Sequence, residues 1–576
     1  MKRLVVLLLA LLAFPAWINA ASADASFEGL ANEYMQKHLE TFPESATDLG
    51  DHRFDHLLTD YSAGAISNRV QLLKGWLNRL KKISPKKLSP ANRLDYQIFR
   101  DGLESMILEA EVIREWEWNP LVYNPGNAIY PLLARDYAPL TNRLESARQR
   151  LEQLPKVLSA AQANLKNSPR IHTETAIQQI KGSANLVRND LNEFIEKAPE
   201  MRDRLAPVQA SAAVALDQHA AWLEKELLPK STSEFRLGAK KFSARLRYSL
   251  NSNLSKEQIL ANAKRELLKT QEEMFETAWP MYQKYYPSRA RLMHKVDANQ
   301  KQIIRDVLAK LAEEHPNDET IVETARQALA KCVEFTRAKQ IVTIPDEPLQ
   351  IIVMPEFRRG VAVAYCDAPG PLAENEETFY AISPTPADWP AKRKESFYRE
   401  YNNHMLLDLT IHEAVPGHYL QLIHGNKFQA PTKIRGLFGS GIFAEGWATY
   451  SEQVMVAHGF GGPEMKMQQL KMRLRLIINS MLDQGVHTAG MTEEEAMRLM
   501  MEEGFQEEGE AAGKWRRACL TSTQLSTYFV GNLEVNDVVA AYRKRFPGSS
   551  EQEMHDKILS YGTVPPKYLK ELIESK

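Results

Sequence analysis

The spacing of apolar residues along most of the chain is the three- and four-residue spacing of amphipathic helices. Residues 70–80 place their apolar side chains on one face of such a helix. The same spacing predicts helices over residues 151–165, 177–195, 206–228, 256–275 and 302–311. Ser255, directly before one of these segments, is a helix N-cap candidate. The pattern therefore predicts a mainly α fold, and no fixed-period repeat indicates a solenoid.

The sequence pattern changes after residue 345, where prolines border three short segments of residues that favour β-strands. These runs are residues 349–354, 361–365 and 378–382, and they predict a small β-sheet. Helical spacing resumes after Pro390 and continues to the end of the chain. No linker is long or polar enough to force separate domains. We therefore expect a helical lobe over residues 24–340 and a second lobe with the sheet over residues 341–576.

Composition and charge exclude some classes of protein. Of the 576 residues, 44% are hydrophobic and 25% are charged, which is typical of a soluble globular protein. Lys and Arg number 72 against 73 for Asp and Glu, so the net charge is −1. This balance gives no electrostatic reason to expect a nucleic acid as partner.

The first 23 residues have the order of a secretory signal peptide. Lys2 and Arg3 precede an apolar run over residues 4–18, and small residues follow at 20–23. We therefore expect an exported protein, periplasmic or secreted, that is not inserted in a membrane after cleavage. An uncleaved N-terminal anchor is the alternative. No cysteine stands at the junction, which disfavours a lipid anchor there.

Cysteine usage argues against a disulfide framework. Cys332, Cys366 and Cys519 are three in number and far apart, so they cannot form a closed set of pairs. We expect buried thiols, with one disulfide left open as an alternative. None of them lies in the Cys-x-x-Cys spacing of a structural zinc site.

Metal chemistry is indicated just after the predicted sheet. His412 and Glu413 are adjacent, and His418 follows. Helical zinc hydrolases present two imidazoles and a general base in such a motif, usually with the histidines four positions apart. Six positions on a regular helix correspond to a rotation of about 240° and a rise of about 9 Å. Pro416 and Gly417 lie where a local bulge would return His418 to the same metal.

A catalytic zinc site needs about three protein ligands, and the segment 439–452 offers the third. Glu445 is flanked by apolar and small residues, where a carboxylate is costly unless it is paired or binds a metal. Glu452, seven residues later, is interpreted as solvated or as an outer-shell group. Asp408 lies one turn before His412 on the same helix face, from which it would orient the imidazole by a hydrogen bond.

The chain resembles the bacterial domain-of-unknown-function family 885 over nearly its whole mature length, and this family resembles the gluzincin metallopeptidases. The motifs that carry the resemblance are residues 42–53, His412-Glu413, Pro416-Gly417-His418, Gln421, Glu445-Gly446-Trp447-Ala448, Asp483-x-Gly485-x-His487, Gly490, Glu494, Arg517, Gln524, Tyr528 and Gly531. The chain departs from the family pattern at Ser522-Thr523, where the family tends to have Pro-Gly.

The resemblance implies an exported zinc metallopeptidase with a deep cleft between two helical lobes and the small sheet beside the zinc-site helix. It implies one Zn²⁺ per chain, held by His412, His418 and Glu445. The resemblance also implies roles for other residues. Glu413 would be the general base, and His487 and Tyr528 would donate hydrogen bonds to the oxyanion. Asp483 would fix the tautomer of His487, and Arg517 and Gln524 would hold a carboxylate or the backbone of the substrate.

We expect hydrolysis of short peptides, with exopeptidase action of a carboxypeptidase kind resting mainly on Arg517. One alternative is a zinc hydrolase of a non-peptide amide or ester, which the same residues would serve. Another is a metal-free helical binding protein, and the intact Glu413 argues against it. For His487, Tyr528 and Arg517 the competing interpretation is a purely structural side chain in the helical core.

Overall fold

Helices make up most of the chain in the computed structural model, which describes residues 23–293, 295–354, 363–374, 376–386 and 389–575. The helices before the sheet are α1 (23–41), α2 (Pro43–Leu49), α3 (Ala63–Lys81), α4 (Pro90–Leu108), α5 (Glu115–Trp118), α6 (Gly126–Ala134), α7 (Leu140–Asn164), α8 (Arg170–Asn185), α9 (Leu191–Lys197), α10 (Arg202–Trp222), α11 (Gly238–Leu250), α12 (Lys256–Tyr285), α13 (Pro287–Ala290), α14 (Gln300–Leu311) and α15 (Ile321–Lys339).

The sheet has three described strands, β1 (Leu349–Val353), β2 (Ala364–Asp367) and β3 (Thr378–Ile382). Their order is β1-β3-β2, with β1 parallel and β2 antiparallel to β3. The register pairs Ile351 with Tyr380 and Cys366 with Tyr380. The sheet and the helical remainder confirm the predicted mainly α fold. The second predicted strand begins at residue 364, and residues 361–362 of that prediction lie outside the described part.

The helices after the sheet include those that carry the candidate chemistry. They are α16 (Ala391–Glu400), α17 (Asn403–Glu413), α18 (His418–Asn426), α19 (Ile434–Leu437), α20 (Gly441–Ala457), α21 (Gly462–Ala489), α22 (Glu493–Arg498), α23 (Glu508–Leu520), α24 (Ser526–Arg545), α25 (Glu551–Leu559) and α26 (Pro566–Ser575).

The helices predicted from spacing are present, with some differences at their ends. Ser255 accepts a hydrogen bond from the Gln258 N–H and forms a capping box, which confirms the N-cap of α12. This helix continues to Tyr285, ten residues beyond the predicted end at 275. The predicted helix 177–195 is divided into α8 and α9 by a wider π turn over Leu186–Asp190.

Three large hydrophobic cores hold these elements together. The first joins α1, α3, α4 and α15 to the sheet, α17, α20, α24 and α26. The second joins α11, α12 and α14 to α20, α21 and α24, and the third lies among α6 to α10. The first two cores contain residues from both sides of position 340. The predicted boundary at residue 340 therefore does not separate two independent hydrophobic cores. The division of the chain into two lobes stays a prediction.

Two glycines let α20 and α24 approach closely, and these helices carry Glu445 and Tyr528. A Cβ atom on Gly446 would lie 2.5 Å from the carbonyl carbon and oxygen of Gly531. A Cβ atom on Gly531 would lie 2.3 Å from the Ile442 carbonyl oxygen. Because neither position has space for a side chain, the two backbones contact each other directly. This contact brings the two candidate functional side chains to one place.

Within the described residues, no helix is both long enough and apolar enough to cross a membrane. Residues 1–22 of the expected signal peptide lie outside the described part of the chain. Cys332, Cys366 and Cys519 are free thiols; Cys332 and Cys519 are buried as expected, whereas Cys366 is partly exposed.

Candidate metal centre

The regular helix is interrupted between His412 and His418. Helix α17 ends at Glu413 and α18 begins at His418, so four residues connect them. The Gly417 N–H donates to the Ile411 carbonyl at 2.9 Å, which closes this connection against the end of α17. A Cβ atom on Gly417 would lie 2.0 Å from the His412 carbonyl oxygen, so only glycine fits here. The interruption predicted from Pro416 and Gly417 is confirmed.

Helix α20 holds this connection in place. The peptide bond between Val415 and Pro416 is cis, and the Pro416 carbonyl points toward α20. It accepts hydrogen bonds from the Trp447 indole N–H at 2.8 Å and from the Ser451 hydroxyl at 3.3 Å. The conformation that places His418 therefore depends on two side chains from the same helix that carries Glu445.

His412, His418 and Glu445 form a cluster of candidate metal ligands. One ligand atom from each lies within 4.8 Å of the other two. The Glu445 Oε2 atom is 3.4 Å from His412 Nε2 and 3.5 Å from His418 Nε2. The two imidazole rings are 4.7 Å apart between centroids and nearly perpendicular. The structure therefore brings together the three side chains that were predicted from the sequence to be metal ligands.

Glu452 lies behind His412 and fixes its ring. The His412 Nδ1–H donates to Glu452 Oε1 at 2.7 Å, and the Glu452 side chain is fully buried. This bond leaves His412 Nε2 as the atom directed at Glu445. A buried carboxylate on the far nitrogen of a ligating histidine is the usual outer partner of a metal site. Of the two interpretations of Glu452 made from the sequence, the solvated one is excluded.

Asp408 does not take the role expected for it. Its carboxylate is fully buried and has no hydrogen-bond partner in the described part of the chain. The bond to His412 Nδ1 comes from Glu452 on α20 instead, because that carboxylate approaches along the direction of the N–H. Burial, together with the negative charge of Glu452, raises the pKa of Asp408 well above its ordinary value. Burial and the charge of Glu452 therefore favour the neutral form of the Asp408 carboxyl behind the cluster.

Electrostatics within the cluster favour charge on Glu445. Burial alone raises the pKa of this carboxyl, but hydrogen bonds and charge from His412 and His418 lower it below the ordinary value. Burial lowers the pKa of His412, and the contacts with Glu445 and Glu452 outweigh it and raise the pKa well above the ordinary value. The cluster is thus a set of nitrogen and oxygen donors that have mainly one another as partners.

A cavity of about 430 Å³ contains the cluster, and Glu413 lies on its wall beside His412. The described residues that line it all fall between Val363 and Tyr528, whereas a cleft between two lobes was expected. They come from β2 and the segment after β3, and from α16, α17, α18, α20, α21, α23 and α24. The small sheet therefore borders the cavity next to the helix of His412 and Glu413, as expected.

Tyr528 and Arg517 also line this cavity. The Tyr528 ring lies 6.5 Å from the His412 ring between centroids. Its hydroxyl oxygen accepts hydrogen bonds from Arg517 Nη2 at 3.0 Å and from Gln524 Nε2 at 3.3 Å. Because two N–H groups occupy that oxygen, the hydroxyl proton can be donated elsewhere. Burial raises the pKa of Tyr528, so the hydroxyl stays protonated.

Gln524 supports these two residues and does not line the cavity. Its Oε1 atom accepts from Arg517 Nη2 at 2.9 Å, and its amide nitrogen donates to Tyr528. The expectation that Gln524 holds substrate is therefore corrected, since both ends of its amide already bind the two cavity residues. Its observed contacts orient the Arg517 guanidinium and the Tyr528 hydroxyl relative to each other.

His487 and Asp483 also lie away from the cavity. The His487 Nε2–H donates to the Thr521 carbonyl at 2.8 Å, and Nδ1 accepts from the Leu237 N–H at 3.4 Å. Both ring nitrogens are engaged with backbone, so the expected role of His487 as an oxyanion donor is corrected. Both His487 nitrogens bond to backbone and not to Asp483, so the expectation that Asp483 fixes the His487 tautomer is corrected as well. Burial raises the pKa of Asp483 to about 6.

Asp483 instead shapes the loop where the chain departs from the family pattern. Its carboxylate accepts from the Thr523 N–H at 2.8 Å, and from the N–H and hydroxyl of Ser526 at 3.0 and 2.6 Å. Thr523 has a positive φ of 66°, a region that glycine enters at lower cost. The loop that precedes Tyr528 is thus kept in a glycine-like conformation by tertiary hydrogen bonds.

Two residues of the site were missed or underrated by sequence reasoning. Glu452 is seven positions after Glu445, which places both on one face of α20 and was the available signal. Lys514 is three positions before Arg517 on α23 and lines the same cavity. Its spacing from Arg517 put both on one helix face, but nothing in the sequence indicated which face was buried.

A family described as a bacterial protein of unknown function, DUF885, matches residues 43–573 of the chain. The match covers both of the expected lobes. No curated protein matches the chain.

Two solved structures are similar over nearly their whole length. One, described as a candidate lipoprotein of unknown function from Shewanella oneidensis, is 30% identical, with a TM-score of 0.78. The alignment covers 95% of this chain and 99% of that one. The other, a candidate lipoprotein from Colwellia psychrerythraea, is 18% identical with a TM-score of 0.76, and covers 97% of this chain and 99% of its own. The second likeness concerns the fold alone.

Proposed function

The chain belongs to the bacterial family of unknown function DUF885, and we propose that it is a zinc-dependent hydrolase that cleaves short peptides. The preferred action is that of an exopeptidase of the carboxypeptidase kind. The observation that carries the proposal is the convergence of His412, His418 and Glu445, whose donor atoms lie within 4.8 Å of one another. Glu413, adjacent in sequence, lines the same cavity.

The donor set fits one zinc ion per chain. Two imidazole nitrogens and one carboxylate oxygen are a ligand set found at catalytic zinc sites, which keep a further position open. Glu445 Oε2 is buried, and the polar atoms facing it among the described residues are the Nε2 atoms of His412 and His418, at 3.4 and 3.5 Å, so a cation between these three atoms would satisfy it. The bond from His412 Nδ1–H to Glu452 fixes the tautomer that directs the Nε2 lone pair at this position.

When bound, zinc supplies Lewis-acid activation of a water molecule and of the scissile carbonyl. Glu413 takes the proton of the attacking water and delivers it to the leaving amine. Tyr528 donates its hydroxyl proton in a hydrogen bond to the oxygen on which negative charge develops. Arg517 and Gln524 keep that hydroxyl in place by donating to its oxygen.

The size and charge of the cavity support a short peptide. A volume of about 430 Å³ is within the range of small-molecule sites and suits a few residues at the end of a chain. Arg517 supports the carboxypeptidase kind of action, because its guanidinium lies on the cavity wall and its hydrogen-bond partners among the described residues, Gln524 and Tyr528, are neutral. A bidentate cation is the usual receptor for a peptide carboxylate.

Export to the cell envelope is part of the proposal. It is supported by the signal-like order of residues 1–23 and by the description of the similar structure from Shewanella oneidensis as a candidate lipoprotein.

The test measures bound metal and hydrolysis in the same preparations of the purified mature protein. Wild type is compared with Glu445→Ala and Glu413→Gln, each loaded with zinc, dialysed, and incubated with a mixed peptide library read by mass spectrometry. We expect near one zinc per chain in wild type and in Glu413→Gln, less in Glu445→Ala, and turnover in wild type alone. Glu464→Gln, on the outer part of α21, is the matched control for a charge loss.

The other outcomes select between the remaining functions. Zinc binding without cleavage of any peptide, but with cleavage of amide or ester compounds, would replace the peptidase by a non-peptide hydrolase. A wild-type protein that binds no metal after zinc loading would contradict the proposal and leave a helical binding protein.

A further inference from the structure

The cavity wall formed by α23 carries positive charge beyond the metal cluster. Apart from Glu413 and Glu445, the charged residues among the described lining are Arg393, Glu400, Arg475, Glu510, Lys514 and Arg517. Four are cations and two are carboxylates. Lys514 and Arg517 are three positions apart on α23, so they lie on one helix face with their Cα atoms about 5 Å apart along the axis.

One of the two carboxylates is already neutralised. Glu400 is fully buried and accepts a hydrogen bond from Lys471 at 2.8 Å and another from Arg475. It also accepts the Glu507 N–H at 2.8 Å. Its charge is therefore used within the protein core and is not available to the cations of α23.

Lys514 is a nearly buried ammonium group with one long salt bridge. Its side chain is 10% exposed, and its Nζ atom lies 3.6 Å from Glu510 Oε1, which partly compensates its charge. The same carboxylate of Glu510 accepts the Tyr401 hydroxyl at 2.9 Å and faces Arg475 at 3.9 Å. Burial, with the positive charges of Arg517 and Arg475 nearby, lowers the pKa of Lys514 to about 8. A buried ammonium of this kind is costly unless an anion accompanies it.

Arg517 has only neutral hydrogen-bond partners among the described residues. Its Nη2 atom donates to Gln524 Oε1 at 2.9 Å and to the Tyr528 hydroxyl oxygen at 3.0 Å. Because Tyr528 lies beside His412, Arg517 marks the end of the cationic wall that is nearer to the metal cluster. Of these two adjacent cations, Lys514 has the Glu510 carboxylate within 4.0 Å, and Arg517 has no carboxylate within that distance among the described residues.

The same face of α23 leaves room beside these cations. Gly509 and Gly513 line the cavity, four positions apart, on the side of Lys514. A Cβ atom on Gly513 would meet no atom within 4 Å. A glycine inside a helix costs about 1 kcal/mol relative to alanine, so two of them on this wall preserve open space at some expense to α23.

We propose that Lys514, together with Arg517, binds a carboxylate of the substrate, and that the C-terminal carboxylate of a short peptide is that group. The inference deepens the proposed function and rests on it for the reaction, but the binding site itself is a property of α23. Lys514 then determines specificity by supplying a charge-assisted hydrogen bond, and Arg517 supplies a second donor from the side of the metal cluster.

The experiment measures binding without turnover, by calorimetry at pH 7 on the Glu413→Gln protein with and without zinc. The probes are N-acetyl-dialanine with a free carboxylate, its C-terminal amide, and the amide of N-acetyl-Ala-Glu, which carries a side-chain carboxylate only. We expect the free acid to bind at least about tenfold tighter than its amide, as one charge-assisted hydrogen bond predicts. Tighter binding of the amide of N-acetyl-Ala-Glu than of N-acetyl-dialanine would mean that the site on α23 binds a side-chain carboxylate and not a C-terminal one.

Variants then assign the site to α23. Lys514→Met should weaken binding of the free acid by at least about tenfold and leave binding of the amide unchanged. Gly513→Leu keeps every charge and fills the open space, so it should weaken acid and amide alike. Arg516→Met is the matched control, because Arg516 is the neighbouring arginine and donates to Thr175 outside the cavity.

Three results would overturn the inference: equal binding of acid and amide, no binding of either, or a Lys514→Met protein with native circular dichroism that binds the acid like its parent. The reaction and the binding site fail separately. Loss of zinc binding or of hydrolysis, with the Lys514-dependent preference for the acid retained, refutes the reaction and leaves the carboxylate site standing.

Discussion

Replacement of Gly417 by alanine tests whether the connection between α17 and α18 builds the metal site. The added Cβ atom would lie 2.0 Å from the His412 carbonyl oxygen and 2.2 Å from the Ile411 carbonyl oxygen. Both are backbone atoms of α17 and cannot turn away as a side chain would. The contact can be relieved only if α17 and the start of α18 move apart, and these segments carry His412 and His418.

The size of the movement follows from the distances. Ordinary contact begins near 3.4 Å, so the first contact requires a separation of about 3.4 − 2.0 = 1.4 Å. Zinc–ligand distances tolerate deviations of about 0.2 Å, so a displacement of this size removes one imidazole from the ion. We expect zinc affinity to fall by more than the roughly 10- to 100-fold loss that follows removal of an outer hydrogen-bond partner. Overpacking of this kind also lowers stability by about 1–3 kcal/mol.

The assay is competition with a fluorescent zinc chelator, together with circular dichroism to confirm that the variant is folded. Gly441→Ala is the matched control. Gly441 lies on α20, the helix that carries Glu445, and a Cβ atom added there would meet no atom within 4 Å. A folded Gly417→Ala protein with the zinc affinity of wild type would refute the reasoning. Should that variant not fold, His418→Ala tests the same ligand without the backbone clash, and unchanged zinc affinity there would be equally contradictory.

Three further predictions concern other parts of the site and fold. Glu452→Gln should lower zinc affinity about 10- to 100-fold in chelator competition, because Glu452 fixes the His412 ring; an unchanged affinity would contradict this. Binding of the free-acid probe should weaken as pH rises through about 8, because the pKa of Lys514 is lowered to about 8 and its ammonium charge is lost there, and Lys514→Met should remove this dependence. Ser255→Ala should lower the free energy of unfolding in urea by about 1 kcal/mol through loss of the α12 cap, and an unchanged unfolding curve would count against it.

Much of the fold followed from local patterns. Helical spacing predicted α7, α12 and α14, and the β-prone run at 378–382 coincides with β3. These predictions succeeded because amphipathic spacing and capping depend on residues only a few positions apart. The end of α12 was placed ten residues too early, and Ala278, Met281 and Tyr282 of its last turns are buried in the second hydrophobic core.

The candidate metal ligands were also accessible from the sequence. His412 and Glu413 form a motif, Gly417 marked the interruption before His418, and Glu445 stood out as a carboxylate among apolar residues. Each signal was local: an adjacency, a backbone-permissive residue, or a charge in an apolar setting. The structure places donor atoms of His412, His418 and Glu445 within 4.8 Å of one another, and their binding of a metal stays a prediction.

Only the tertiary structure decided which polar residues support the cluster and which lie elsewhere. Asp408 was expected behind His412, but Glu452 from another helix makes that hydrogen bond. His487 was expected in the cavity, but it donates a hydrogen bond to the backbone carbonyl of Thr521. Lys514 lines the cavity, although the sequence did not indicate this. The physical reason is that the sequence of a helix does not specify which other helix its face will pack against. Which face is buried, and against what, depends on contacts such as that of Gly446 with Gly531, 85 positions further along the chain.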